Sequence, residues 1–298
     1  MKPQEILSRN GKSFALGARF LSKPTRHDVT LLYAFARVAD DWADEAHLGS
    51  LPERMAQLQA MQRAALQPDA HSPELAHEVG RMLARCGASA QVLAHFLSSL
   101  QADTEARCLQ TDQELMQFAH GVAGTVGQLL CPLLGAPQAA QRYALALGMG
   151  MQLTNIARDV VEDAARGRCY IPAQWGLSLQ ELSAPASPAQ KAAAFAAITR
   201  LLSVADEFYA FAALGFVQIP KRNRRAIVVA SGLYRAIGQK IVKRGAALYW
   251  QGRCSLNVWE KCMVLTRTLA FAGQPNSSTH ALPQSTLQHL QQMPGFPV

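Results

Sequence analysis

Two stretches of this chain carry acidic side chains at a spacing suited to holding cations. In Val38-Ala39-Asp40-Asp41-Trp42-Ala43-Asp44, residues Asp40 and Asp44 stand four apart, so on a helix they share one face with Cβ atoms roughly 5–6 Å from each other. Like charges placed this way disfavour an isolated helix, and a solvated acidic face is the plain alternative. Against that alternative, these aspartates end the strongly apolar run Leu31-Leu32-Tyr33-Ala34-Phe35-Ala36. The second stretch, Gln152 to Asp163, repeats the pattern with Asn155, Asp159 and Asp163 at i, i+4 and i+8. Their oxygens therefore leave a helix along one stripe. Mg²⁺ takes oxygen ligands in octahedral geometry and commonly links one or two carboxylates to substrate phosphates. Two facing helices marked in this way would gather such ions around a diphosphate, offsetting both the carboxylate repulsion and the charge of a leaving group. Asp41 and Glu162 lie off the stripes and read as supporting or solvated groups.

Basic and aromatic residues flank both stretches. Arg37 precedes Asp40 by three residues and Arg158 adjoins Asp159. Each either closes an ion pair on its helix surface or presents a guanidinium to phosphate, and bidentate geometry favours the second. Tyr33 and Tyr234 admit two readings, core packing with a satisfied hydroxyl or a place in the site. His120 follows Phe118-Ala119, and a lone histidine there is more often structural than catalytic. Gly121, Gly124 and Gly127 recur every three residues, as close helix approach or a kink beside a cavity would require.

The elements that must position these groups are helical almost throughout. Alanine and leucine dominate and alternating β-branched stretches are scarce, so no sheet is expected. The pattern predicts helices over about 28–47, 52–66, 73–86, 89–106, 111–134, 138–165, 186–213, 222–248 and 256–271, separated by proline and glycine breakers. Residues 173–190 read as a long surface connection. The chain is expected to form one domain over residues 1–272, and 273–298, rich in Gly, Pro, Ser and Gln, to form a flexible tail.

The motifs resemble those of the squalene/phytoene synthase family, on the bacterial phytoene-forming side. The residues that carry the resemblance are Ser13-Phe14-Ala15, Tyr33-Ala34-Phe35-Ala36-Arg37, Asp40-Asp41-Trp42-Ala43-Asp44, Val122-Ala123-Gly124-Thr125-Val126-Gly127 and Asn155 to Asp163. Gly167-Arg168-Cys169-Tyr170-Ile171-Pro172 and Tyr234-Arg235-Ala236-Ile237-Gly238 extend it, in family order from about residue 10 to 265. The resemblance implies an all-α, single isoprenoid-synthase-type helical domain with a central active-site cavity. It implies that Asp40, Asp44, Asn155, Asp159 and Asp163 bind a Mg²⁺–diphosphate group, with Mn²⁺ a possible substitute. By the same resemblance Arg37, Arg158, Arg168, Tyr170, Tyr234 and Arg253 contact the diphosphate or shape its site, while Ser13 and Phe14 lie over the substrate. Tyr33, Gly121 and Gln152 complete the expected substrate side, and Arg37 with the four aspartates forms the expected catalytic set. The reaction implied joins two geranylgeranyl diphosphates head to head through prephytoene diphosphate to phytoene. His120 lies where family members often carry a Tyr-Cys-Tyr pattern, which leaves open the group that steadies a cation or guides a proton. Squalene synthases tend to have tyrosine at the position of Gly121, which argues against that branch.

The remaining composition narrows the alternatives. Lys and Arg total 29 against 21 acidic residues, a net charge of +8 that suits an anionic partner. These cations are dispersed and form no recognition motif, so no nucleic acid is expected. Gly148-Met149-Gly150 is followed by Leu153 where a dinucleotide fingerprint needs its third glycine, so no NADPH requirement is expected. Met1 to Lys12 lacks an apolar signal core and no uninterrupted run of 18 apolar residues occurs; a cytoplasmic protein is expected. Lys221, Arg222, Arg224 and Arg225 could touch anionic lipid at the inner face of a membrane, or form a merely solvated basic turn. The six cysteines, scattered without CxxC spacing, read as buried or idle thiols. The rival readings are a C15 enzyme of the same family, a terpene cyclase or chain-elongating relative, and a non-enzymatic basic helical binding or assembly protein.

Overall fold

The computed structural model describes residues 2–67, 73–105, 107–271 and Gln291. Among these residues the protein is all-α. Two short helices open the chain, α1 (Pro3–Asn10) and α2 (Lys12–Ala18), followed by the long α3 (Lys23–Asp44). Next come α4 (Leu51–Leu66), α5 (Glu74–Arg85), α6 (Ala90–Ala102) and α7 (Asp112–Ala119). A π-helical turn, His120–Gly124, joins α7 to α8 (Thr125–Leu133). The second half comprises α9 (Gln141–Ala165), the short α10 (Leu179–Ser183), α11 (Pro188–Leu214), α12 (Lys221–Tyr249) and α13 (Val258–Phe271). Outside the helices, the described residues hold one isolated parallel bridge, between Cys108 and Cys169.

Local chemistry explains several boundaries. Ser50 and Glu53 form a capping box at the start of α4, and Ser187 with Gln190 does the same for α11, whose first position is Pro188. Each cap satisfies backbone donors that a helix start leaves open. At the other end of α9, Gly167 takes φ +74°, a conformation glycine adopts without steric cost, and turns the chain back toward Cys108. The predicted long helix over 111–134 is interrupted by the π turn. Helices α1 and α2 lie before the first helix that the pattern predicts, and Pro3 and Glu5 form a helix-starting pattern for α1. The expected connection over 173–190 contains the 3₁₀ turn Ala173–Trp175 and α10. The predicted tail, 273–298, lies outside the described residues apart from Gln291.

Helix α9 is the axis of the molecule. It packs on α8, α11 and α12, and Leu145, Met149 and Leu153 from α9 meet Phe208 of α11 and Leu233 of α12 in one buried cluster. A second cluster forms around α3, with Leu32 and Phe35 against Leu58 of α4 and Leu97 of α6. By length and composition α11, with the turn that follows it to Gln218, could cross a membrane. Here its buried face, including Ile198, Leu201 and Phe208, belongs to the core around α9.

Two glycine contacts let the central helices approach. A Cβ on Gly127 would lie 2.1 Å from the carbonyl oxygen of Ala144, and one on Gly148 would lie 2.1 Å from that of Ala123. Backbone cannot yield as a flexible side chain can, so the two segments would have to separate. We expect Gly127→Ala to lower stability by about 1–3 kcal/mol, read as a lower urea midpoint; an unchanged midpoint would show that the contact is not tight.

Candidate active site

The C-terminal half of α3 and the middle of α9 face one cavity of about 630 Å³. From α3 come Tyr33, Arg37, Asp40 and Asp44, and from α9 come Gln152, Asn155, Arg158, Asp159 and Asp163. The two stripes predicted from spacing therefore meet across a shared space. Phe14 of α2, Tyr234 of α12, and Tyr170 and Arg253 from the loops after α9 and α12 also border it. Away from the acids the wall is apolar, with Leu32, Phe96, Leu130, Phe216 and Ile219 among its residues. Helix α9 departs from helical geometry at Asp159 (φ −108°, ψ 16°), within the acidic stripe itself.

Each carboxylate sits in a different electrostatic setting. Arg37 donates to Asp40 at 2.9 Å and also to Asp41. Arg168, buried, donates to Asp44 and reaches the carbonyl oxygen of Asp103 at 2.9 Å. Asp159 accepts two-pronged pairs from two guanidiniums: Arg158 at 2.7 and 2.6 Å, and Arg253 at 2.7 and 2.9 Å. Burial acts to raise the Asp159 carboxyl, but these arginines outweigh it and hold the group below its ordinary range. Asp40 and Asp163 go the other way. Burial, then the charge of Asp44, pushes Asp40 up to about 7, with Arg37 only partly offsetting. Burial, then Asp159 and Asp44, pushes Asp163 up to about 7 as well. The Asp40 side chain keeps 39% of its surface accessible, but it lines the cavity, so that surface is not evidence of full solvation.

These residues suit a hard cation that shares its ligands with a substrate. The side-chain oxygen of Asn155 is buried without a hydrogen-bond partner while the residue lines the cavity. Two nearby carboxyls carry negative charge that the arginines leave poorly compensated. Among the described residues no three His, Cys, Asp or Glu side chains converge closely enough to cage a cation alone. Mg²⁺ characteristically binds in this manner, through one or two carboxylates, water and phosphate oxygens.

The other predicted residues fall into three groups. Phe14 stacks on Tyr33, with ring centroids 5.3 Å apart, and burial, then Tyr234, pushes the Tyr33 hydroxyl up to about 12. Ser13 lies on α2, and its side chain is outside the described residues. Arg168 and Gly121 do not border the cavity. Arg168 supports Asp44 from behind, whereas Gly121 allows a close approach to α6: its Cβ would lie 2.2 Å from the Ser99 hydroxyl oxygen. Gly121, expected on the substrate side, stands in this structure against Ser99 and outside the cavity lining. His120 is also absent from the cavity wall; it is fully buried, with its Nδ1 3.3 Å from His95 Nε2.

Three residues outside the two stripes border or brace the site. Asp103, just past α6, borders the cavity, accepts from the Tyr170 hydroxyl at 2.7 Å and from Arg107 at 3.0 Å. Burial raises its carboxyl, with Tyr170 and Arg168 opposing. Arg54, buried on α4, donates to the Ala43 carbonyl at 2.7 Å and so fixes the end of the helix that carries Asp44. Arg166 borders the cavity near Asp44 and Glu45. The one available signal was the four-residue spacing of Asp103 and Arg107.

A family model described as squalene/phytoene synthase matches residues 7–260. The chain belongs to the squalene/phytoene synthase family. It is 33% identical over 284 residues to a 15-cis-phytoene synthase of Enterobacter agglomerans, covering 91% of this chain and 95% of that one. It is 35% identical over 258 residues to a 15-cis-phytoene synthase of a Paracoccus species, covering 83% of each. Among solved structures, a dehydrosqualene synthase in complex with a ligand superposes with a TM-score of 0.77 at 23% identity, over 90% of this chain and 94% of that one. That likeness bears on the fold of this family member.

The raised carboxyls set a pH dependence for the metal-free protein. A folded-state value of about 7 for Asp40 and Asp163 exceeds the ordinary carboxylate value. The stabilising contribution is therefore full below that ordinary value and is lost as pH rises through about 7. In EDTA, the thermal midpoint should fall between pH 5.5 and pH 8, less so in Asp40→Asn/Asp163→Asn; equal slopes in the two proteins would refute the assignment.

Proposed function

We propose that this chain is a phytoene-synthase-type prenyl transferase that joins two geranylgeranyl diphosphates head to head, through prephytoene diphosphate, to phytoene. The observation that carries this reading is the meeting of two oxygen-ligand stripes at one end of a cavity whose remaining wall is apolar. The curated relatives that it resembles over most of their length are named as phytoene synthases.

Asp40, Asp44, Asn155, Asp159 and Asp163 would hold Mg²⁺, or Mn²⁺ in its place. Bound there, the metal supplies neutralisation of charge on the departing diphosphate. The chain's own residues do the rest. Arg37, Arg158 and Arg253 already form ion pairs with aspartates at the cavity, and the same guanidinium geometry suits diphosphate oxygens. Exchange of a carboxylate partner for phosphate would bring the leaving group to the metal ligands. The double bond of one prenyl chain then attacks the allylic cation formed from the other, and loss of a proton closes the cyclopropane. A second ionisation, rearrangement and proton loss yield phytoene. Leu32, Phe96, Leu130 and Ile219 offer an apolar wall that keeps water from these cations and holds the chains in reacting order. Proton loss leaves no step for a hydride donor, so NADPH is not required.

Localisation in the cytoplasm with peripheral contact at the inner face of a membrane completes the proposal. Lys221, Arg222 and Arg225 are exposed at the start of α12, and Val217 beside them is 54% exposed. Arg224 instead donates to the Ile219 and Val217 carbonyl oxygens and braces the preceding turn. Phe216 and Ile219 of that turn border the apolar part of the cavity, and their nearness to the cations supports a membrane-facing exit for a water-insoluble product. Flotation with anionic vesicles should recover the protein at low salt and lose it at high salt; no recovery at low salt would remove membrane contact from the proposal.

The decisive assay supplies farnesyl or geranylgeranyl diphosphate separately, with Mg²⁺ and without NADPH. Phytoene is expected from the C20 donor, and Asp40→Asn or Asp159→Asn should reduce turnover by orders of magnitude with the helical circular dichroism retained. Faster turnover of farnesyl diphosphate would assign the chain to the C15 reaction, and a strict NADPH requirement would assign it to squalene formation.

A further inference from the structure

The isolated bridge behind the acidic site pairs two cysteines. The Cys169 amide donates to the Arg107 carbonyl at 2.9 Å, and the Leu109 amide donates to the Cys169 carbonyl at 2.8 Å. This pattern sets Cys108 directly opposite Cys169. Paired strands lie about 4.7–4.9 Å apart, inside the roughly 4.4–6.8 Å between Cα atoms that a disulfide spans. Both thiols are free, with Cys108 exposed and Cys169 buried. Burial pushes the Cys169 thiol up to about 11, and interaction with the Cys108 thiol adds to the rise.

The neighbours of these cysteines hold the acids of the site. Arg107, preceding Cys108, donates to Asp103 at 3.0 Å. Arg168 and Tyr170, on either side of Cys169, donate to Asp44 and, at 2.7 Å, to Asp103. Cys108 therefore offers a reagent in solution a covalent route to groups bordering the cavity.

We infer that Cys108 and Cys169 form a reversible thiol–disulfide pair, a modification site for a small-molecule disulfide, and that its closure slows the reaction by displacing the anchors of Asp44 and Asp103. The Cys108 thiolate attacks one sulfur of the small disulfide, forming a mixed disulfide and releasing one thiolate, which takes up a proton. Cys169 loses its proton to water and attacks the Cys108 sulfur, expelling the second thiolate. Two protein thiols are oxidised by two electrons, and the small disulfide is reduced to two thiols. Cys169 is scarcely ionised at neutral pH, so the second step quickens as pH rises. Closure brings the sulfurs to about 2.05 Å and takes the Cys169 thiol from the Ile171 carbonyl oxygen it now meets at 3.3 Å, disturbing the segment that carries Arg168 and Tyr170. Reacting groups tolerate displacement poorly, about 1 Å costing on the order of a hundredfold in rate. The effect on turnover rests on the proposed function, whereas the disulfide chemistry does not.

The test treats the whole protein with oxidised glutathione at pH 8, then maps its peptides without reduction and measures Mg²⁺-dependent turnover. A Cys108–Cys169 cross-linked peptide is expected, with turnover lowered by about tenfold or more and both changes reversed by dithiothreitol. Cys108→Ser should keep its turnover through the treatment, and Cys169→Ser should stop at a glutathione adduct on Cys108. A wild-type protein that stops at that adduct, or leaves Cys108 unmodified, overturns the pair. A cross-linked protein with undiminished turnover overturns its coupling to the site. A cross-link in a protein inactive on both prenyl diphosphates before treatment would defeat the proposed function while leaving the thiol pair standing.

Discussion

Carboxylates that share a cavity repel one another, and much of this structure answers that repulsion. Two unit charges 4 Å apart interact by about 4 kcal/mol at an effective dielectric of 20, and Asp40, Asp44, Asp103, Asp159 and Asp163 all border the same space. Arg37 pairs with Asp40, Arg168 with Asp44, and Arg158 and Arg253 both with Asp159. The response is uneven. Asp159, held by two arginines, stays below its ordinary range, whereas Asp40 and Asp163 are pushed up to about 7. The site is thus organised around negative charge that further cations would relieve. Because guanidinium pairs with carboxylate and phosphate in the same two-pronged geometry, the proposed function has an incoming diphosphate compete with Asp159 for these arginines.

Holding the acids together requires rigid support at both helices. The end of α3 is secured through the Ala43 carbonyl by buried Arg54 and through Asp44 by buried Arg168. Burying two guanidiniums is costly unless they are well paired, and both find oxygen partners here, on backbone or carboxylate. Helix α9 is held by the main core, with Gly148 against the π turn and Gly127 of α8 against Ala144. The same contacts border the cavity, whose wall includes Val122, Ala123, Val126, Gly127 and Gly148. Close helix packing and part of the cavity wall thus come from the same few small residues.

Periodicity made the acidic stripes and most long helices legible, because i, i+4 spacing is a property of single helices. What the spacing could not convey was support from elsewhere in the chain. Asp103 follows α6 as one acidic residue, and only the fold brings it to Tyr170, 67 positions away. Arg54 likewise looks like one more exposed cation on a polar helix. The glycine series shows the limit of pattern from the other side: Gly121 shared the period of Gly127, yet it meets Ser99 of α6 and does not border the cavity. The cysteines illustrate it again, since Cys108 and Cys169 lack any motif spacing and are joined only by a two-residue bridge.

The central claim is that the stripes on α3 and α9 act as one metal-dependent diphosphate site. Calorimetric titration of inorganic pyrophosphate into the whole protein, with Mg²⁺ and with EDTA, tests it without relying on turnover. Binding should require Mg²⁺ and should be lost in either Asp40→Asn/Asp44→Asn or Asp159→Asn/Asp163→Asn. Undiminished binding in EDTA, or in a protein with one whole stripe neutralised, would contradict the account.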